Sequence, residues 1–97
     1  MNLREAFARC KAGETVSFRP HGGSMRGRIK SGQLVTVEPL DGRTPTVGEA
    51  VLCKVRGCVY VHLVKGVRGD EFLIGNNIGG INGWTRQLAG IVVRVEE

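Results

Sequence analysis

Apolar and polar positions along this chain change period once, early. Leu3, Ala6, Phe7 and Cys10 recur three and four residues apart, which sets them on one face of a helix. Asn2 and Glu5 stand before them at capping-box spacing, and Gly13 offers a stop. The pattern predicts one short amphipathic helix. From Glu14 onward the period falls to two: Thr15-Val16-Ser17-Phe18 alternates, and Pro20, Gly22 and Gly23 break the strand into an irregular turn that carries Ser24. Gln33 to Glu38 alternates again and closes on Pro39 and Asp41-Gly42. Ala50 to Val55 and Cys58 to Val64 flank Arg56-Gly57 as a hairpin. Gly69-Asp70 turns the chain into Glu71-Phe72-Leu73-Ile74, Asn76 to Gly83 reads as a loop, and Leu88 to Val95 is a last strand.

The expected architecture is one N-terminal helix and six or seven strands. Their connections are too short for crossover helices, so the strands pair antiparallel in a small coiled sheet or half-barrel. Ninety-seven residues suit a single domain over 1–97, which buries roughly 60–65% of its unfolded surface. Fifteen glycines against five aromatic residues agree with many turns and short strands rather than a helical bundle.

Charge and cysteine content narrow the function classes. A net charge of +5 gives mild attraction to anions but no dedicated basic arm. Phe18, Tyr60, Phe72 and Trp84 are scattered rather than set as a base-stacking pattern, so nucleic-acid binding is the weakest reading. Cys10, Cys53 and Cys58 form an odd set without paired CxxC spacing, which suits buried thiols in a reducing compartment. Cys53 and Cys58 flank the hairpin turn and could face one another. Neither they nor His21 and His62 have zinc-ligand spacing, so no metal and no cofactor is expected. With no apolar signal core at its start and no apolar run near the ~20 residues a bilayer requires, the expectation is a cytoplasmic protein with no membrane partner.

The residues that suggest chemistry are Ser24, in Gly22-Gly23-Ser24-Met25, and His62, in Val59-Tyr60-Val61-His62-Leu63-Val64. A serine hydroxyl is a poor nucleophile until a base takes its proton, and His62 is the one histidine in a strand. Alternation sets Val59, Val61 and Leu63 on one face and Tyr60, His62 and Val64 on the other. If the first face is the core, His62 points outward or into a groove. Each element alone is commonplace, a turn and a strand histidine.

Together they resemble the peptidase clan of LexA-type repressors and type I signal peptidases. The resemblance runs from about Phe18 to Val95 and rests on order: Gly22-Gly23-Ser24-Met25, Ile29 and Gly32, the strand Leu34-Val35-Thr36-Val37, then Pro45-Thr46-Val47-Gly48-Glu49-Ala50-Val51 and Tyr60-Val61-His62. It implies Ser24 as nucleophile in a Ser-Met element and His62 as base, as in the histidine-type signal peptidases. It also implies a peptide or protein substrate held extended beside a strand edge, with small residues before the cut. Ala12-Gly13 has the composition of a repressor self-cleavage bond, but it lies so close before Ser24 that it is read as a helix stop. The stretch before Glu14 is too short for a helix-turn-helix.

Three departures fall on catalysis rather than fold. Gly22 stands where signal peptidases place a side-chain donor, leaving backbone N–H groups around Gly23 and Met25 as oxyanion candidates; one lost donor costs ~3 kcal/mol of barrier. The usual Gly-Asp after the Ser-Met turn is Gly32-Gln33. The segment that supplies an acidic partner to the base reads Ile74-Gly75-Asn76-Asn77, and the acidic position falls on Asn82, which can orient an imidazole but not neutralise imidazolium. Arg26, Arg28 and Lys30 alternate after the serine and could form a basic rim for substrate. The expectation is a slow or conditional serine endopeptidase. The alternatives are a catalytically silent protein-binding module of the same fold and, last, a basic nucleic-acid-binding barrel.

Overall fold

The computed structural model describes residues 1–97. Helix α1 (Leu3–Lys11) starts on Asn2, whose extended backbone lets its side chain accept the Glu5 N–H at 2.8 Å. Only that half of the capping box forms, because the Glu5 carboxylate turns instead to Arg9 at 3.1 Å. Gly13, at φ 102°, ends the helix: its N–H bonds to the Cys10 carbonyl and the Glu14 N–H to the Arg9 carbonyl. That pairing is a Schellman motif and accounts for Ala12-Gly13 as a helix stop.

The strands are β1 (Val16–Phe18), β2 (Leu34–Pro39), β3 (Ala50–Val55), β4 (Cys58–Arg68), β5 (Glu71–Gly75), β6 (Ile81–Thr85) and β7 (Gln87–Glu96). They form one seven-stranded sheet in the order β1-β2-β7-β3-β4-β5-β6, and every pairing is antiparallel. The mainly β architecture expected from the alternation is therefore present, as one open and coiled sheet. No helix is long and apolar enough to cross a membrane.

Coiling gives the sheet two cores. On one face Leu52, Val61, Leu63, Val35 and Val37 pack against Ala6, Phe7 and Cys10 of α1 and against Met25 and Ile29. On the other, Val51, Cys53, Val64, Ile74 and Leu88 fill the inside of the curl. Strand β6 comes round toward β3, where the Thr85 hydroxyl donates to the Lys54 carbonyl at 2.6 Å. Central strands thus lose the in/out alternation of a one-sided sheet, and residues 50–53 are buried in succession. Gly90 of β7 has no alternative, since a Cβ there would strike the Glu38 carbonyl and the Cys10 sulfur.

Three expectations need correction. Residues 76–83 are not all loop: Ile81–Thr85 is a strand, held by its ladder to β5 despite its Asn and Gly. Strand β4 continues past Val64 to Arg68, through a bulge at Lys65. Cys53 and Cys58 do not face each other, because the register sets Cys53 opposite Tyr60 and Cys58 opposite Val55. All three cysteines are free, with Cys10 and Cys53 buried and Cys58 exposed.

Candidate active site

Two unlike pieces of chain meet at the site. Strand β4 pairs with β3 from Cys58 to Leu63, but with β5 only from Leu63 onward. The edge of β4 from Cys58 to His62 is left without a partner on the β5 side, and His62 stands at the step. Of the two placements open to His62, outward or into a groove, the structure has the second: it lines the pocket beside Ser24 and is only 6% exposed, because the Ser24 turn and Asn82 cover the ring.

The Ser24 segment has no strand or helix of its own. Met25 and Ile29 anchor it in the core, and the Arg28 and Ile29 N–H groups both bond to the Met25 carbonyl, closing one helical turn. Its base is tied by the Gly32 N–H to the Pro20 carbonyl at 2.9 Å and by the Gly22 N–H to the Ser31 hydroxyl at 3.0 Å. Asn77 holds the crown of the turn: its backbone N–H donates to the Ser24 carbonyl at 2.9 Å and its Nδ2 to the Arg26 carbonyl at 2.7 Å. Asn77 itself is presented by a turn in which the Asn76 side chain accepts the Ile78 and Gly80 N–H groups.

These supports bring Ser24 Oγ to 3.0 Å from His62 Nε2. On the far side of the ring, His62 Nδ1 is 2.7 Å from Asn82 Oδ1. An amide oxygen can only accept, so it draws the proton onto Nδ1 and leaves Nε2 free to receive the Ser24 hydroxyl proton. Asn82 reaches this position through a bulge. In the β5–β6 ladder Ile74 faces Gly83 and Gly75 faces Ile81, so Asn82 is the extra residue and its side chain is re-aimed toward β4.

Burial lowers the His62 pKa below its ordinary 6.5, and the hydrogen bond to Asn82 offsets part of that shift. The ring is therefore neutral at pH 7, the state a general base requires. Tyr60, two residues earlier on the same strand face, stacks on the imidazole with ring centroids 4.7 Å apart and planes 20° from parallel. The N–H groups of Gly23, Ser24 and Met25 have no acceptor within the protein. They flank the Ser24 side chain in sequence and are the donors available to an oxyanion formed there.

Beside the pair lies a pocket of about 140 Å³, whose walls include Leu3, Pro20, Met25, Ile29, Tyr60 and Val61. Of the three basic residues expected at its rim, only Lys30 lines it. Arg28 is turned away to the Gly48 carbonyl at 3.2 Å, and the Arg26 guanidinium lies over Gly23. The helical turn around Met25 destroys the strand-like alternation that would have aligned them. A larger hollow of about 760 Å³ between the end of α1 and the chain after β2 contains no nucleophile–base pair. Its buried Cys10 thiol, donating to the Ala89 carbonyl at 3.4 Å, has its pKa raised by burial.

Asn77 and Tyr60 were not singled out for the site by the sequence. The signal for Asn77 was present in Gly75-Asn76-Asn77, which reads as turn formers until its bonds to residues fifty positions earlier are seen. Comparison of the chain with family models, with characterised proteins and with solved structures finds no match in any of the three.

Proposed function

We propose that the protein is a serine endopeptidase of the histidine-based type found in the LexA and signal-peptidase clan. The observation that carries this reading is the relay Ser24 Oγ, His62 Nε2, His62 Nδ1, Asn82 Oδ1, with separations of 3.0 and 2.7 Å. Ser24 Oγ attacks a peptide carbonyl while its proton passes to His62 Nε2. The oxyanion is met by free backbone N–H groups of the Ser24 turn, and His62 returns the proton to the departing amine. Water, activated by the same base, then releases the acyl group. The unpaired edge of β4 from Cys58 to His62 gives an extended substrate backbone a ladder to join, with one side chain entering the pocket beside Ser24.

Asn82 defines what this site lacks. It supports the neutral tautomer but adds no negative charge beside the imidazolium formed during attack, so turnover is slow compared with a carboxylate triad. The same residue feeds the second reading, a silent module that binds a peptide along β4 without cutting it. Incubation of the protein with an extended-peptide library, read by mass spectrometry, separates the two. Cleavage is expected, and Ser24→Ala or His62→Ala abolishes it, with the double variant no worse than either single one because the two groups act as a unit. Intact peptides retained by the folded protein would support the silent module instead.

A further inference from the structure

The apolar stripe of α1 is buried unevenly. Ala6, Phe7 and Cys10 are sunk in the core, while Leu3, on the same face at the start of the helix, is only half covered. The reason lies in front of it. Leu3 borders the pocket that also contains Ser24 and His62, together with Met25, Ile29 and Val61. Its backbone has little freedom, since Asn2 caps the helix at the preceding residue and Phe7, one turn on, is fixed in the core. A helix remote in sequence from the serine and the base thus supplies a rigid wall at the site. The pocket offers Leu3 as aliphatic surface that a helix substitution can enlarge or reduce without touching the Ser24 turn or β4.

We propose that Leu3 is a specificity-determining residue, limiting the size of the substrate side chain that enters the pocket beside Ser24. This rests on the serine-hydrolase reading, and it concerns a different link: not whether Ser24 reacts, but which aliphatic side chain may accompany the reacting carbonyl. Leu3→Ala deepens the pocket and Leu3→Phe fills it, so the two substitutions shift preference in opposite directions. A general loss of stability would weaken all ligands together and would not reverse their order.

The test uses the full chain and two peptide boronic acids identical except for alanine-like or leucine-like side chains beside boron, which form a reversible tetrahedral adduct on a serine hydroxyl. Adduct formation at Ser24 is followed by NMR titration for the wild type, Leu3→Ala, Leu3→Val and Leu3→Phe, Leu3→Val guarding against a fold too weakened by the alanine. In the wild type the Leu3 methyl groups should show contacts with the probe side chain. The affinity ratio of the leucine-like to the alanine-like probe should rise about tenfold in Leu3→Ala, rise less in Leu3→Val and fall in Leu3→Phe, the scale of a few methylenes in an apolar pocket. Adducts on Ser24 whose ratio is the same in all folded variants overturn the role of Leu3 and leave the hydrolase reading standing. A folded wild type that forms no adduct with either probe overturns both.

Discussion

His62 and Ser24 are held in opposite ways. His62 belongs to β4, the longest strand, where Val61, Leu63 and Val64 are buried on both sides of it and β3 runs alongside through six paired positions from Cys58 to Leu63. Ser24 belongs to a stretch of irregular backbone that relies on two apolar anchors, Met25 and Ile29, and on a few hydrogen bonds from other loops. The strand side is therefore stabilised by packing and the loop side by polar contacts. Damage to the first should appear as lost stability. Damage to the second should appear chiefly as lost alignment, with a smaller loss of stability.

Asn77 and Val64 provide the sharpest contrast. Asn77→Ala removes the side-chain donor to the Arg26 carbonyl at an exposed site, which costs about 1 kcal/mol of stability. The Ser24 turn it clamps is then free to shift, and a displacement of about 1 Å of a reacting group lowers kcat/KM on the order of 100-fold. Val64→Ala, in the second core and fully buried, should do the reverse. It costs about 2 kcal/mol in denaturant unfolding and leaves kcat/KM within a few-fold. If Asn77→Ala lowers stability and activity in proportion, the turn is not separately pinned and the contrast fails.

The next effect is smaller and concerns pH. Burial holds the His62 pKa below 6.5, so peptide hydrolysis should be on its plateau at pH 7 and decline along a single limb below pH 6.5. The same shift sets the sign for stability. The unfolded chain binds the proton at about 6.5 and the folded chain only at lower pH, so this stabilisation is complete above pH 6.5 and is lost as pH falls through the folded value. Asn82→Asp sets a carboxylate against Nδ1, which moves the limb to higher pH and speeds the plateau on the order of tenfold, the difference between a neutral and a charge-assisted hydrogen bond. Rates against pH for both proteins decide it. A limb that stays in place in Asn82→Asp would show that residue 82 does not face the base in solution.

The strand side was largely legible in the sequence and the loop side largely was not. Helix α1, the hairpin at Arg56-Gly57 and the alternation around Leu34–Glu38 follow from local period and turn chemistry, which neighbouring residues suffice to express. Strand β6 escaped because Ile81-Asn82-Gly83 carries turn formers, and only its ladder with β5 makes it a strand. The burial of His62 was not legible because alternation assigns a face but not what covers it, and the Ser24 turn and Asn82 do so from distant parts of the chain. Spacing alone could not bring Ser24 to His62 across 38 residues. That pairing came from the order of motifs, and Gly75-Asn76-Asn77 marks a turn without showing that Asn77 reaches the Ser24 segment, which is a tertiary contact.

The smallest effect probes the far end of the strand side. Arg56 and Gly57 form the two-residue turn between β3 and β4 with φ of 51° and 83°, the left-handed pair a tight hairpin needs. Gly57 adopts it freely, but Arg56 pays steric strain that asparagine tolerates better. Arg56→Asn should therefore stabilise the fold by about 0.5 kcal/mol, a rise in Tm of about 2–4 °C for a domain of this size. An opposing contribution exists, since the Arg56 guanidinium lies near Gly83 of β6, and its loss removes some contact across the curl. That contact involves a long charged side chain at an exposed turn, so the backbone gain should exceed it. Because the turn lies six residues from His62 along a well-packed strand, kcat/KM should stay within twofold. A lower Tm would show that Arg56 helps hold β6 against β3, and a changed rate would show that the strand transmits movement from its turn to His62 and is no rigid mount for the base.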